Sequence, residues 1–162
     1  MELGSFKISG HSTKREWAVY MFIATPINGK GRKKIYVGKV GDNRDGCNPV
    51  ISRVGNHFSH NKIHSQIRNR IGVTENYNYE YFYCHFGEYH SEIELRKTSR
   101  KKTNELEREF NRIVQKKMDI NKFELINPFK GNHVSKSERI KQAELINESE
   151  IGILNKLCDK AL

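Results

Sequence analysis

WAVYMFIATPINGKGRKKIYVGKV, Trp17–Val40, decides the fold. Trp17–Thr25 is rich in aromatic and apolar residues and stops at Pro26, which reads as a buried strand. PINGKGRK follows, and its proline, Asn28-Gly29 pair and Gly31 are the chemistry of a hairpin turn. KIYVGKV then returns antiparallel beside the first strand. That return strand ends in Tyr36, Gly38 and Lys39, placing a phenol, a bare backbone and an ammonium close together.

Outward from the hairpin, GDNRDGCNP reads as a loop, and Asn48-Pro49 opens a helix with proline at its first position. VISRVGNHFSH is a helix that turns Val50, Ile51, Val54 and Phe58 inward. KIHSQIRNRIG is a second helical piece that stops at Gly72. YNYEYFYCHF, Tyr77–Phe86, is a third strand with aromatic residues at most odd positions. In RKTSRKKTNELEREFNRIVQKKM, Leu106, Phe110, Ile113 and Val114 fall at helical spacing, so this is an amphipathic helix with a charged outer face. After the loop NPFKGNH, Ser135 and Glu138 form a capping-box pattern. They open a final helix, expected to be interrupted near Gly152. The expected class is α/β: a small, mainly antiparallel three-stranded sheet flanked by helices. Residues 1–134 would form the domain and residues 135–162 a C-terminal helical extension.

The 162 residues suffice for one core, with 36% apolar residues. No apolar run approaches membrane-spanning length, and the start of the chain lacks the layout of a signal peptide, so the chain reads as soluble and cytoplasmic with no membrane partner. Cys47, Cys84 and Cys158 are odd in number and far apart, against both a disulfide framework and a zinc ribbon. The net charge is +10. Basic and acidic residues balance from Ser135 onward, so the whole excess lies upstream, which suits a polyanionic partner such as nucleic acid.

Arg53 and His57 are four apart, hence on one helix face. With Tyr20, Tyr36, Lys39 and a glutamate from the later helix, they make the set that phosphodiester hydrolysis requires. A water must lose a proton, cations must meet the pentavalent phosphate, and the leaving oxygen needs a Lewis acid. One carboxylate can anchor a Mg²⁺ that keeps most of its waters. Taken singly, each residue has an ordinary reading: strand aromatics, a solvated lysine, a helix surface pair, a charged helix face. His57, His60 and His64 suggest a zinc stripe, but no cysteine or acidic partner has ligand spacing. The order and element types of the whole set outweigh the separate readings.

AVY (Ala18–Tyr20), YVG (Tyr36–Gly38), Arg53-x-x-x-His57, a later helical glutamate and a following Asn-Pro together resemble the GIY-YIG nuclease superfamily. The resemblance spans Trp17 to Asn132. The lysine after YVG and the run NPVISRVGNHFSHN are closer in style to its restriction-endonuclease members. Ala18 stands where the first motif has glycine.

The resemblance implies a role for each position. Tyr20 is expected as general base, its pKa lowered by Lys39, and Tyr36 as hydrogen-bond partner of the water or phosphate; which tyrosine is the base stays open. Gly38 would let the backbone approach the phosphate, Arg53 would clamp it, and His57 would bond the nucleophile or a tyrosine. Glu109 is the expected metal ligand because it has Leu106 three before and Ile113 four after; Glu107 is the alternative. Asn127 is the expected substrate contact, with Asn132 as alternative. The implied activity is metal-dependent endonucleolytic cleavage of double-stranded DNA with Mg²⁺, for which Mn²⁺ could substitute, in a restriction or phage-defence setting. Other readings are a non-catalytic nucleic-acid-binding module on this scaffold and a partner protein acting through its C-terminal helix. A palindromic target requires a homodimer, for which that helix is the expected interface.

Overall fold

A computed structural model describes residues 3–41, 48–61, 63–130 and 135–162. Residues 42–47 of the expected loop at 41–49, including Cys47, and the alternative Asn132 lie outside the described residues.

The hairpin forms as its sequence dictates. β1 (Glu16–Pro26) and β2 (Lys33–Val40) pair antiparallel, with Ala18 opposite Val40 and Tyr20 opposite Gly38. β3 (Tyr77–Glu88) lies antiparallel on the other side of β1. The sheet has a fourth strand that the sequence did not announce. β4 (Phe123–Leu125) runs parallel to β2, giving the order β3-β1-β2-β4, so the sheet is mixed and four-stranded rather than three-stranded. Three residues are too few to show periodicity, and their partner Lys33–Ile35 lies far back in the chain. β1 is central and buries Trp17–Ala24 without a break.

Strand alternation divides the core into two. Val19, Met21, Ile23, Ile35 and Val37 face α3 (Ile93–Lys117) and α5 (Glu148–Ala161), meeting Leu106, Phe110, Ile113, Val114, Leu154 and Cys158. Ala18, Tyr20, Phe22, Tyr36 and Val40 face the opposite way, toward Val50 on α1 (Val50–Phe58) and Ile67 on α2 (Gln66–Ile71). α1 turns Val50, Val54 and Phe58 onto this core as expected, while Ile51 is half-buried and His57, not expected inward, is fully buried. Pro49 occupies the position before the first helical residue, not the first itself.

The C-terminal region also differs from expectation. α4 (Lys136–Ala143) is capped by Ser135, whose hydroxyl accepts from the Glu138 amide at 3.2 Å. The helix breaks at 144–147, and Asn147 and Glu150 cap α5 reciprocally. Gly152 lies inside α5 without interrupting it, because the second cap restarts the helix upstream. Leu154 and Cys158 are fully buried in the main core, so α5 is packed into the fold. Among the described residues, no helix is long and apolar enough to cross a membrane.

Candidate functional site

Tyr20 and Tyr36 project from β1 and β2 onto the α1 face, with ring centroids 6.4 Å apart and nearly parallel. Gly38 makes this possible. It stands directly across the hairpin from Tyr20, and a Cβ there would sit 2.4 Å from the Tyr20 hydroxyl oxygen. The missing side chain is therefore the berth of the phenol. Gly41, at φ +106°, leaves similar room for Trp17, whose ring a Cβ would meet at 1.9 Å.

His57 closes over this pair. Its Nε2 lies 2.5 Å from the Tyr20 hydroxyl oxygen, and its ring centroid is 5.1 Å from that of Tyr36. Burial, helped by the Arg53 charge, pushes the imidazole pKa down to about 3, so His57 is neutral at ordinary pH. Its other nitrogen, Nδ1, is buried with no hydrogen-bond partner among the described residues. Arg53, one helical turn before His57, hydrogen-bonds the Tyr20 phenol. Tyr81 from β3 stacks on the outer side of Tyr20 at 4.9 Å.

The expected lowering of the Tyr20 pKa by Lys39 does not occur. Tyr20 is fully buried, and desolvation raises its pKa well above the usual phenol value, with Tyr36 adding to the rise. Arg53 is the cation that opposes this shift. Alternation explains why Lys39 does not. Ile35 and Val37 belong to the α3 side of the sheet, Tyr36 and Val40 to the α1 side, so Lys39 leaves β2 on the α3 side. The phenol and the ammonium of YVGK are on opposite faces.

The two glutamates separate in the same way. Glu107 lies close enough for its charge to act on Tyr20, and it lines a hollow beside Asn127. Glu109, two residues on and so about 200° around the helix, is paired with Arg112 at 2.7 Å. Glu105 completes that outer network: it is buried and bonded to Arg108 and Arg112, each at 3.1 Å. Glu107, not the expected Glu109, is thus the carboxylate turned toward the tyrosines. The flanking apolar residues that pointed to Glu109 define the buried stripe but not which of its two borders faces the site.

Asn127 is close by, but its amide is taken up by β2. It accepts from the Val37 amide at 3.0 Å and donates to the Val37 carbonyl at 2.6 Å, extending the β4 ladder by one side chain. Asn111 on α3, which the sequence reading missed, donates to the Asn127 carbonyl at 2.9 Å and accepts from the Phe129 amide at 2.8 Å. Together the two asparagines fix the loop after β4 against the end of β2 and the middle of α3. No local pattern marks Asn111, since its partners are backbone groups of a distant loop.

Comparison with known proteins gives no match. No family model, no curated protein and no solved structure matches the chain.

What the site can do chemically therefore rests on its own groups. It offers a buried phenol, a neutral imidazole in contact with it, a guanidinium bonded to it, and a carboxylate within electrostatic reach. Among the described residues no group of three or more His, Cys, Asp or Glu side chains is arranged to hold a metal ion. Among the described residues, the carboxylate that acts on Tyr20 is Glu107, and one carboxylate is enough for a hard cation that keeps most of its waters.

Proposed function

We propose that the chain is a metal-dependent endonuclease hydrolysing phosphodiester bonds of DNA, of restriction or phage-defence type, in the manner of the GIY-YIG nucleases that its motifs resemble. The observation carrying this reading is the convergence of Tyr20, Tyr36, Arg53 and His57, drawn from three separate elements, with Glu107 facing them from a fourth.

In this reading Arg53 meets the scissile phosphate and the charge that develops on it. A phosphate seated there offsets the positive charge that helps to keep His57 neutral, and the imidazole becomes a better proton acceptor. A proton leaving the Tyr20 hydroxyl then has His57 Nε2 as its neighbour at 2.5 Å. Tyr36, nearly as buried as Tyr20, holds the attacking water or a phosphate oxygen. Glu107 would hold Mg²⁺ or Mn²⁺, which supplies the Lewis acid for the leaving oxygen. Lys39, on the other face of β2, takes no part at the scissile phosphate in this reading.

The test is incubation of the pure chain with supercoiled plasmid and Mg²⁺, followed by sequencing of the ends. Arg53→Ala and Glu107→Ala should each reduce nicking at least about a hundredfold with the circular dichroism unchanged, whereas Glu109→Ala should cut. Normal cutting by both variants rules the site out.

One observation favours a second reading, a non-catalytic nucleic-acid-binding module on the same scaffold: Tyr20 is closed off from solvent. That module would bind DNA with a steep salt dependence and never nick it. Cleavage of both strands by paired sites would require a homodimer, and the outer side of α5, where Ile153 is 39% exposed, is the surface we assign to it. Sedimentation of the full chain tests this; truncation would not, because α5 carries part of the core.

A further inference from the structure

Glu107 does not only face the tyrosines. It also forms one wall of an open hollow of about 610 Å³ between α3 and the loop after β4. Arg70, Arg108 and Lys130 stand around that hollow, and Phe129 forms its far side. Beyond Phe129 a second hollow of about 500 Å³ continues, lined by Arg112, Lys116 and Arg139 and sharing Phe129 and Lys130 with the first. The two hollows adjoin at Phe129 and Lys130, and the trough they form reaches the proposed cleavage site only through Glu107.

Its charge is one-sided even after internal pairing. Arg108 and Arg112 are bonded to Glu105 and Glu109 behind them. Arg70, Lys116, Lys130 and Arg139 remain, against one lining carboxylate among the described residues, Glu107. Such a trough follows a phosphate backbone. An aromatic ring at its midpoint adds something that phosphates do not use. Phe129 is half-buried, with the Arg108 and Arg112 guanidinium carbons 5.9 and 5.4 Å from its ring centroid. Its amide is anchored to Asn111, so the ring is held on a fixed loop. A positioned ring among backbone-tracking cations is the arrangement on which an unpaired base stacks.

We propose that this trough binds a single-stranded nucleic-acid segment leading away from the scissile phosphate, with one base stacked on Phe129. This rests on the nuclease reading for its direction and adds a substrate class to it: DNA with an unpaired or displaced strand next to the cut. A base paired in a duplex keeps its faces against its neighbours and cannot use the ring.

The experiment uses the full chain without divalent metal, so that binding is read apart from cleavage. Fluorescence anisotropy is measured with a labelled single-stranded oligonucleotide and with a duplex of the same length. Phe129→Leu should weaken single-strand binding about tenfold and duplex binding less than about twofold, with the salt slope unchanged. Lys130→Ala with Arg139→Ala should weaken both ligands and lower the salt slope by about two. Phe129→Trp should keep the affinity, and its indole emission should be quenched on adding oligothymidylate. Single-strand binding by Phe129→Leu at the wild-type level, or unquenched Phe129→Trp emission at saturation, overturns the proposal. Phe129-dependent binding without any cleavage once Mg²⁺ is added would keep the trough and remove the nuclease; cleavage with no effect of Phe129 would do the reverse.

Discussion

The two faces of the sheet are made from the same strands, yet they are different materials. On the α3–α5 side, Val19, Met21, Ile23, Ile35 and Val37 meet Leu106, Phe110 and Leu154, all aliphatic or plain aromatic. On the α1–α2 side, neighbours in the same strands are Tyr20, Phe22 and Tyr36, packed with His57, Tyr79 and Tyr81. The first face contributes only burial, which is non-directional and tolerates small shifts. The second buries hydroxyls and an imidazole, whose stability depends on particular partners. A strand with period two can supply a stable core and a reactive cluster at once, since each successive residue serves the other side.

The largest expected effect lies on the aliphatic face. Phe110→Ala, at a fully buried position, should cost about 3–5 kcal/mol in urea unfolding. Little loss there would mean that this face is not the main source of stability. Next is Gly38→Ala on the polar face, where the new methyl would overlap the Tyr20 ring. It should cost about 1–3 kcal/mol, and less in a Tyr20→Leu background, because the two residues share one space. Equal costs in both backgrounds would break the claim that Gly38 is the berth of Tyr20.

Acid should separate the faces by about 2 kcal/mol. The folded pKa of His57 is depressed to about 3 from 6.5, so the unfolded chain binds the extra proton between those values. The contribution is present above pH 6.5 and is lost as pH falls toward 3, amounting to about 2 kcal/mol between pH 7 and pH 5. Burial lowers the pKa of His85 as well, with the same sign, so His57→Gln should flatten the stability–pH curve only in part. A curve unchanged by His57→Gln would place the acid sensitivity elsewhere. The smallest effect belongs to the rim of the aliphatic face. Lys117 and Asp159 pair at 2.7 Å between α3 and α5, but both are solvated. Lys117→Ala should therefore cost less than about 1 kcal/mol in thermal unfolding. A larger loss would show that charge, not apolar contact, clamps α5.

How much was legible follows from how local each signal is. The hairpin, β3, α1, α2 and α3 each carry their own periodicity or turn residues, and each formed close to its expected bounds. β4 and the break between α4 and α5 were missed. One is a three-residue strand paired with a remote segment, and the other depends on a second cap at Asn147 that overrides the glycine at 152. Within the candidate site, spacing linked only Arg53 to His57; the motif resemblance joined Tyr20 and Tyr36 to them, and the structure brings the four together. Lys39 was misplaced, although strand alternation alone would have set it opposite Tyr36.

The sequence by itself determined the α/β class, the hairpin and the residues that border it, because strand alternation, helical spacing and turn chemistry act over a few neighbouring residues. Only the tertiary structure decided that Glu107 rather than Glu109 faces Tyr20, that burial raises the phenol's pKa, and that Asn127 serves β2. Those depend on which side of α3 meets the sheet and on how much water the packed elements exclude. Both are set by surfaces far apart in the chain.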